Sequence, residues 1–384
     1  MISSIHIQNF KSIESLLLKP GRVTVLIGEN GSGKSNILEA IAFGAASSAG
    51  KLESDFYLFN RGIRVTDYGW IKSGFRCANS GPTDSTIKLI FGSEEKQVYF
   101  CNLEISNPLT SNDSPRFEIH DTFRLKESMV AAANRIEAQY PNIKTDIRDE
   151  NYLRALELEV NKRKEDVLKL GIMDFLIFAP ENTVLRNPPP ESAVKPLGSK
   201  GEGIFNLLQS FGKKEIAELN DRLQLFGWFD SFLAPSSADV AAARIQIRDR
   251  WLPQIFDQRS ANEGFLFVLF YLTLLISKRT PKFFSIDNID TSLNPKLCSE
   301  LMKQIVELAK KYDKQVICTT HNPCILDGLN LKDDEQRLLA VKRDSEGRTV
   351  VHRVHAPKPQ PGESPVRMSV AFIEGYIGGL PVNF

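Results

Sequence analysis

Val23-Thr24-Val25-Leu26-Ile27-Gly28-Glu29-Asn30-Gly31-Ser32-Gly33-Lys34-Ser35-Asn36 is the stretch that decides the fold. Its first five residues, apolar or β-branched without interruption, predict a strand buried on both faces of a sheet. They lead into Gly28-Glu29-Asn30-Gly31-Ser32-Gly33-Lys34-Ser35, a full match to GxxxxGK[ST]. Ile37, Leu38, Ile41 and Ala42 then recur at helical spacing, so a helix is expected from about Gly33. The glycines permit backbone angles that turn successive N–H groups toward one centre, and the helix N-terminus adds its positive dipole end. Gly28, Asn30, Gly31, Ser32, Gly33, Lys34, Ser35 and Asn36 are therefore the candidate phosphate-binding residues. Lys34 is expected at the β- and γ-phosphates of ATP, and the Ser35 hydroxyl at Mg²⁺.

A second apolar strand, Phe283-Phe284-Ser285-Ile286, ends in Asp287. A carboxylate at that place can order Mg²⁺ and its waters; the plainer reading is an aspartate closing a turn. About thirty residues on, Gln315 to Thr320 form another strand ending in His321, whose ring nitrogen can reach a γ-phosphate or an attacking water. The candidate catalytic residues at these strand ends are Asp287 and His321, with Ser35 and Asp287 as the metal ligands.

The 384 residues suffice for a large core in one elaborated or two closely packed domains. Forty-eight basic against 47 acidic residues leave a net charge of +1, which supplies no global reason to bind nucleic acid or an anionic membrane. Five cysteines (Cys77, Cys101, Cys298, Cys318, Cys324) lack metal or redox spacing and fit a reduced, cytoplasmic compartment. The start of the chain lacks the layout of a signal peptide. The longest apolar run, Phe265 to Ile276, is too short for a bilayer and predicts a buried helix.

Three parts are expected. Residues 1–125 carry the phosphate loop and β-rich stretches at Thr86 to Phe91, Gln97 to Ile105 and Arg116 to His120. Residues 126–259 read as a helical insertion, with a charged helix within 128–169 and a second helix marked by Ile216, Leu219, Leu223 and Phe226. Residues 260–384 complete the α/β lobe.

Together these motifs resemble the small ABC-type ATPases of the RecF and OLD branch, related to the SMC proteins. Ile7 to Ile13 resembles that branch's first strand and turn, Gly28 to Asn36 its Walker A, Ile286 to Pro295 its Walker B and D-loop, and Thr319 to Pro323 its H-loop. Phe178 to Glu181 through Leu197-Gly198 and Gly203 is similar to its passage into the helical lobe. The resemblance implies an α/β P-loop NTPase lobe of ABC type formed by both chain ends, with antiparallel β segments and a helical insertion. It also implies an ATP-dependent homodimer, in which the signature loop of one subunit closes on the γ-phosphate held by the other. Asn262, Glu263 and Gly264 stand where that signature belongs, without its double glycine; an ordinary helix cap is the alternative. No Q-loop glutamine is assigned.

One position departs from the branch. The usual glutamate after the Walker B aspartate is Asn288, whose carboxamide orients a water but cannot take its proton. Slow or partner-stimulated hydrolysis is the expectation, with Asp290 as the alternative carboxylate. The work that ATP drives is open among three classes: a bacterial anti-phage defence subunit acting with a separate effector such as a nuclease, a RecF-like repair protein on duplex DNA, and a transporter subunit. The last fits least, because the transporter-type signature is missing. No nuclease is expected within the chain, since about 60 residues follow His321 where a further domain takes ~100. His352 and His355 lie in one strand-like stretch without carboxylate partners, where a surface strand is the expectation, and the aromatic, glycine-rich Phe372 to Phe384 is expected to pack onto the core.

Overall fold

The computed structural model describes residues 1–49, 51–52, 54–64, 71, 73, 75, 87–93, 98–100, 154, 170–189, 196–235, 244–356 and 366–379. Apart from residue 154, the charged helix expected within 128–169 lies outside these residues, as do the strand expected at Arg116 to His120, Cys77 and Cys101. In chain order the elements begin with β1 (Ser4–Phe10), β2 (Ile13–Leu18), β3 (Val23–Ile27), α1 (Lys34–Ser48), α2 (Asp55–Asn60), β4 (Lys88–Ser93), β5 (Val98–Phe100) and β6 (Ile177–Phe178). There follow α3 (Asn182–Arg186), α4 (Ile204–Gln209), α5 (Lys213–Leu223), β7 (Phe229–Leu233), β8 (Gln246–Asp249), β9 (Ile255–Phe256) and α6 (Glu263–Ile276). The C-terminal part holds β10 (Phe283–Ile286), α7 (Pro295–Lys311), β11 (Gln315–Thr319), β12 (Gln336–Arg343), β13 (Thr349–Val354) and α8 (Met368–Ile373).

The central sheet has the order β13-β12-β3-β11-β10-β6. All its neighbours pair in parallel except β12 with β13. Every residue of β3, β10 and β11 is buried, as expected for strands covered on both faces. Val25, Phe284, Ile286 and Val316 point into one core, while Leu26, Phe283 and Ile317 point into the other. The strand period of two thus divides the interior into two layers on either side of one sheet.

The first layer holds α6, with α4, α5 and α7 around it. Thirteen of the fourteen residues of α6 are buried, so it runs through the middle of the core as an all-apolar helix does. The second layer holds α1 and an antiparallel sheet of order β2-β1-β4-β5. The sequence predicts one buried face for α1, and Ile37, Leu38, Ile41 and Ala42 are indeed buried. Its other side is covered as well: Phe43 packs on Phe10 of β1, at 5.7 Å between ring centroids.

Two elements escape the sequence reading. β6, a strand of the central sheet, and the antiparallel sheet β7-β8-β9 both come from the stretch read as a helical insertion. At two to five residues each, these strands are too short to carry a readable alternation. The C-terminal segment packs only in part where it is described: Phe372 is buried, as are Met368 and Ala371 before it, whereas Ile373 and Tyr376 are exposed, and the Asp327 carboxylate accepts from the N–H and hydroxyl of Ser369 at 2.9 and 2.7 Å. Among the described residues no helix is long and apolar enough to cross a membrane.

Candidate functional site

Because β3, β6, β10 and β11 run parallel, their carboxyl ends meet at one edge of the sheet. That edge is where open α/β sheets bind ligands. The loop after β3 turns through Gly28 and Gly33. A side chain on Gly28 would collide with the Val341 carbonyl, and one on Gly33, at φ 109°, with Thr349. Both neighbours belong to the β12–β13 hairpin, which therefore supports the loop from outside. Thr349 Oγ1 donates to Ser32 O at 3.1 Å and Arg343 Nε donates to Gly31 O at 2.9 Å. Burial holds the Arg343 guanidinium below its ordinary pKa. Neither residue carries a local signal in the sequence.

Lys34 opens α1 and is buried; its ammonium donates to Gly28 O at 2.7 Å and to Glu29 O at 3.0 Å. Burial pushes its pKa down, against the opposing pull of Asp287, Glu29 and Asp290. Ser35 Oγ lies 3.5 Å from Asp287 Oδ2. A hydroxyl and a carboxylate oxygen side by side form the hard donor set that Mg²⁺ prefers. Ser32 Oγ is buried and, among the described residues, has no hydrogen-bond partner. An orphaned hydroxyl just before the N-terminus of α1 suits an oxyanion, so these residues fit an ATP phosphate with Mg²⁺ at Ser35 and Asp287. Asn30 and Gly31 are exposed on the loop's rim. Asn36 braces the fold: its amide donates to Ser12 Oγ at 2.6 Å, and that hydroxyl is 2.8 Å from Thr349 Oγ1.

At the end of β10, Asp287 Oδ1 accepts from Thr319 Oγ1 at 2.5 Å, and the Asn288 N–H donates back to the same hydroxyl at 2.8 Å. Asn288 is exposed and has φ 53°, a left-handed conformation that asparagine tolerates better than most side chains. Asp290 Oδ1 accepts from Thr320 Oγ1 at 2.6 Å. His321 is pushed below its ordinary pKa by partial burial and then by the charge of Lys34, while Asp290 and Asp287 pull the other way. Those four charged or titratable groups thus share one electrostatic neighbourhood. The threonines that hold the carboxylates were not singled out in the sequence.

Asn262, Glu263 and Gly264 form a separate place. Asn262 is the N-cap of α6, with Oδ1 accepting from the Phe265 N–H at 2.7 Å. A β-carbon on Gly264 would lie 2.9 Å from Ser292 O and 3.3 Å from Leu293, so this glycine lets the segment after Asp290 lie directly on the start of α6. His352 and His355 are exposed, and no group of three or more metal-ligating side chains occurs among the described residues.

A family model described as "AAA domain, putative AbiEii toxin, Type IV TA system" matches residues 23–327. The chain belongs to this AAA-domain family. It has a P-loop fold and resembles the ATPases of the RecF/SMC-like ABC type. The DNA replication and repair protein RecF of Anaeromyxobacter sp. (strain K) is 54% identical over 41 residues, which is 10% of this chain and 11% of that protein. The chromosome partition protein Smc of Methanococcus voltae is 31% identical over 201 residues, 45% of this chain and 16% of that protein. The matches therefore span a small part of those relatives. Among solved structures, an SMC head bound to the C-terminal winged-helix domain of ScpA aligns with TM-score 0.50 at 12% identity, covering 92% of this AAA-domain chain and 98% of that one. The SMC head domain from Thermotoga maritima covers 92% and 99%, with TM-score 0.46 at 16% identity. At 12% identity the first of these likenesses speaks for the fold alone.

Proposed function

We propose that the chain is an ATP-driven switch: two copies close over bound ATP and Mg²⁺, and the closed state governs a separate effector in anti-phage defence. The observation that carries this reading is the division of the machinery. Lys34, Ser35, Asp287 and His321 gather at one edge, whereas Asn262 caps its own helix and Gly264 faces the segment beyond Asp290. A half-site of this kind leaves the γ-phosphate open to a cover from a second subunit. The N-terminus of α6 suits that task, since it carries the positive end of a helix dipole. Asp287 and Ser35 would hold Mg²⁺, which supplies charge to the phosphate oxygens. His321, poised toward the neutral form, would hydrogen-bond the terminal phosphate.

Asn288 supports a switch rather than a fast motor, because its amide has no proton-accepting carboxylate to offer. The toxin named in the family description supports a defence setting. The test is capture of the tagged chain from its native cells with ATP present or absent. Co-elution of the product encoded next door, dependent on ATP and lost in Lys34→Ala, supports the reading; co-elution indifferent to both contradicts it. The RecF and Smc relatives favour a second reading, a repair ATPase on duplex DNA. ATP-requiring duplex binding that weakens steeply with salt would decide for it.

A further inference from the structure

The N–H of Asp287 donates to Phe178 O at 2.9 Å, which registers the end of β6 against the end of β10. Past β6 the chain pairs once more: Ala179 N–H donates to Ser199 O and Glu181 N–H donates to Lys200 O, each at 2.9 Å. This backbone ladder brings Glu181 and Lys200 to the edge where Ser35 and Asp287 stand. All four side chains line one cavity of about 230 Å³, together with Glu39 and Arg64.

The carboxylates around this cavity differ in how firmly they are held. Glu39, almost fully buried, is clamped between Lys11 and Arg64. Asp287 is bound by Thr319 and faces Ser35; Asp290, outside the cavity lining, is bound by Thr320. Glu181 stands at the N-cap of α3 but makes no side-chain cap bond. Its Oε1 meets Lys200 Nζ at 2.8 Å, and both side chains are partly open to solvent. The Lys200 ammonium also lies 5.6 Å from the centroid of the Phe59 ring. A solvent-accessible ion pair of this kind is worth little and opens readily.

We propose that Glu181 is the proton acceptor for ATP hydrolysis, taking the part that Asn288 cannot play, and that Lys200 latches it between turnovers. This rests on the ATPase reading of the same site and adds its regulation. In the step, a water oxygen bonds to the γ-phosphorus while one of its protons passes to a carboxylate oxygen of Glu181. The bond from that phosphorus to the bridging oxygen breaks, its electron pair leaving with ADP, and Glu181 then returns the proton to solvent. Lys200 must release Glu181 first. A triphosphate arriving beside Ser35 offers Lys200 a competing anion, so substrate itself loosens the latch.

The test compares ATP turnover, nucleotide affinity and melting temperature in wild type, Glu181→Gln and Glu181→Gln/Asn288→Glu. Glu181→Gln is expected to lower kcat by about 10²–10⁴-fold, as loss of a general base does, and to abolish the acid limb of the kcat–pH profile. Affinity and melting temperature should stay near wild type, and the added Asn288→Glu should restore part of the lost turnover. Unchanged kcat in Glu181→Gln overturns the proposal, as does a loss of affinity parallel to the loss of turnover, which would make Glu181 a binding residue. Wild type that binds ATP without hydrolysing it also overturns the proposal. Wild type that binds no nucleotide instead overturns the ATPase reading beneath it.

Discussion

Thr319 Oγ1 donates to Asp287 Oδ1 at 2.5 Å and accepts the N–H of Asn288 at 2.8 Å, so one hydroxyl on β11 sets both the Asp287 carboxylate and the peptide after it. Thr319 is fully buried, and no water can replace its hydroxyl without rearrangement.

Thr319→Val keeps the shape and removes the hydroxyl. The Asn288 N–H and the Asp287 carboxylate each lose a partner at a partly buried place, which costs about 0.5–1.5 kcal/mol per hydrogen bond. Urea unfolding should report that loss, and Mg²⁺ titration of ATP binding should show weaker metal dependence as Asp287 turns free. Unaltered Mg²⁺ dependence would show that the carboxylate needs no such support.

Gly264→Ala tests the contact between α6 and the segment after Asp290. The new β-carbon, 2.9 Å from Ser292 O, forces that segment to move. Stability should fall by about 1–2 kcal/mol, since overpacking outweighs the entropy that glycine loses on folding. ATP binding to the isolated chain should survive while ATP-dependent self-association weakens. Weakened ATP binding with association intact would contradict the division of the site described above.

Lys314 sits buried between β11 and the turn before β10, donating to Thr280 O and Thr280 Oγ1 at 2.9 Å and to Pro281 O at 3.1 Å. Burial, reinforced by Lys282, pushes its pKa down to about 8, with Asp313 opposing. The folded chain therefore gives up this proton at lower pH than the unfolded chain. From about pH 8 up to the ordinary lysine range the unfolded state binds more protons, so stability rises with pH through that window. The gain has a ceiling of roughly 3 kcal/mol. Urea midpoints of wild type and Lys314→Met across this range measure it: the balance should shift toward wild type as pH rises, and a constant difference would refute it.

What the sequence makes legible is local chemistry. The strand–loop–helix around Lys34, the acid ending β10 and the histidine after β11 each lie within a few residues of the pattern that betrays them. The supports are not local. Thr349 and Arg343 brace the loop from more than 300 residues away. Ile177 joins the central sheet by pairing with Ser285, and only that pairing brings Glu181 beside Asp287. A two-residue strand carries no periodicity, and a lone glutamate after a proline resembles any solvated loop. Asn36 shows the converse: its position in the motif suggests phosphate, while its amide nitrogen donates to Ser12.

Sedimentation equilibrium of the purified 43.1 kDa chain with and without ATP–Mg²⁺ tests the central claim most directly. The account predicts a monomer without nucleotide, a mass of two chains with it, and no such shift in Lys34→Ala or Asp287→Asn. A mass indifferent to ATP, or a shift that persists after both substitutions, would contradict it.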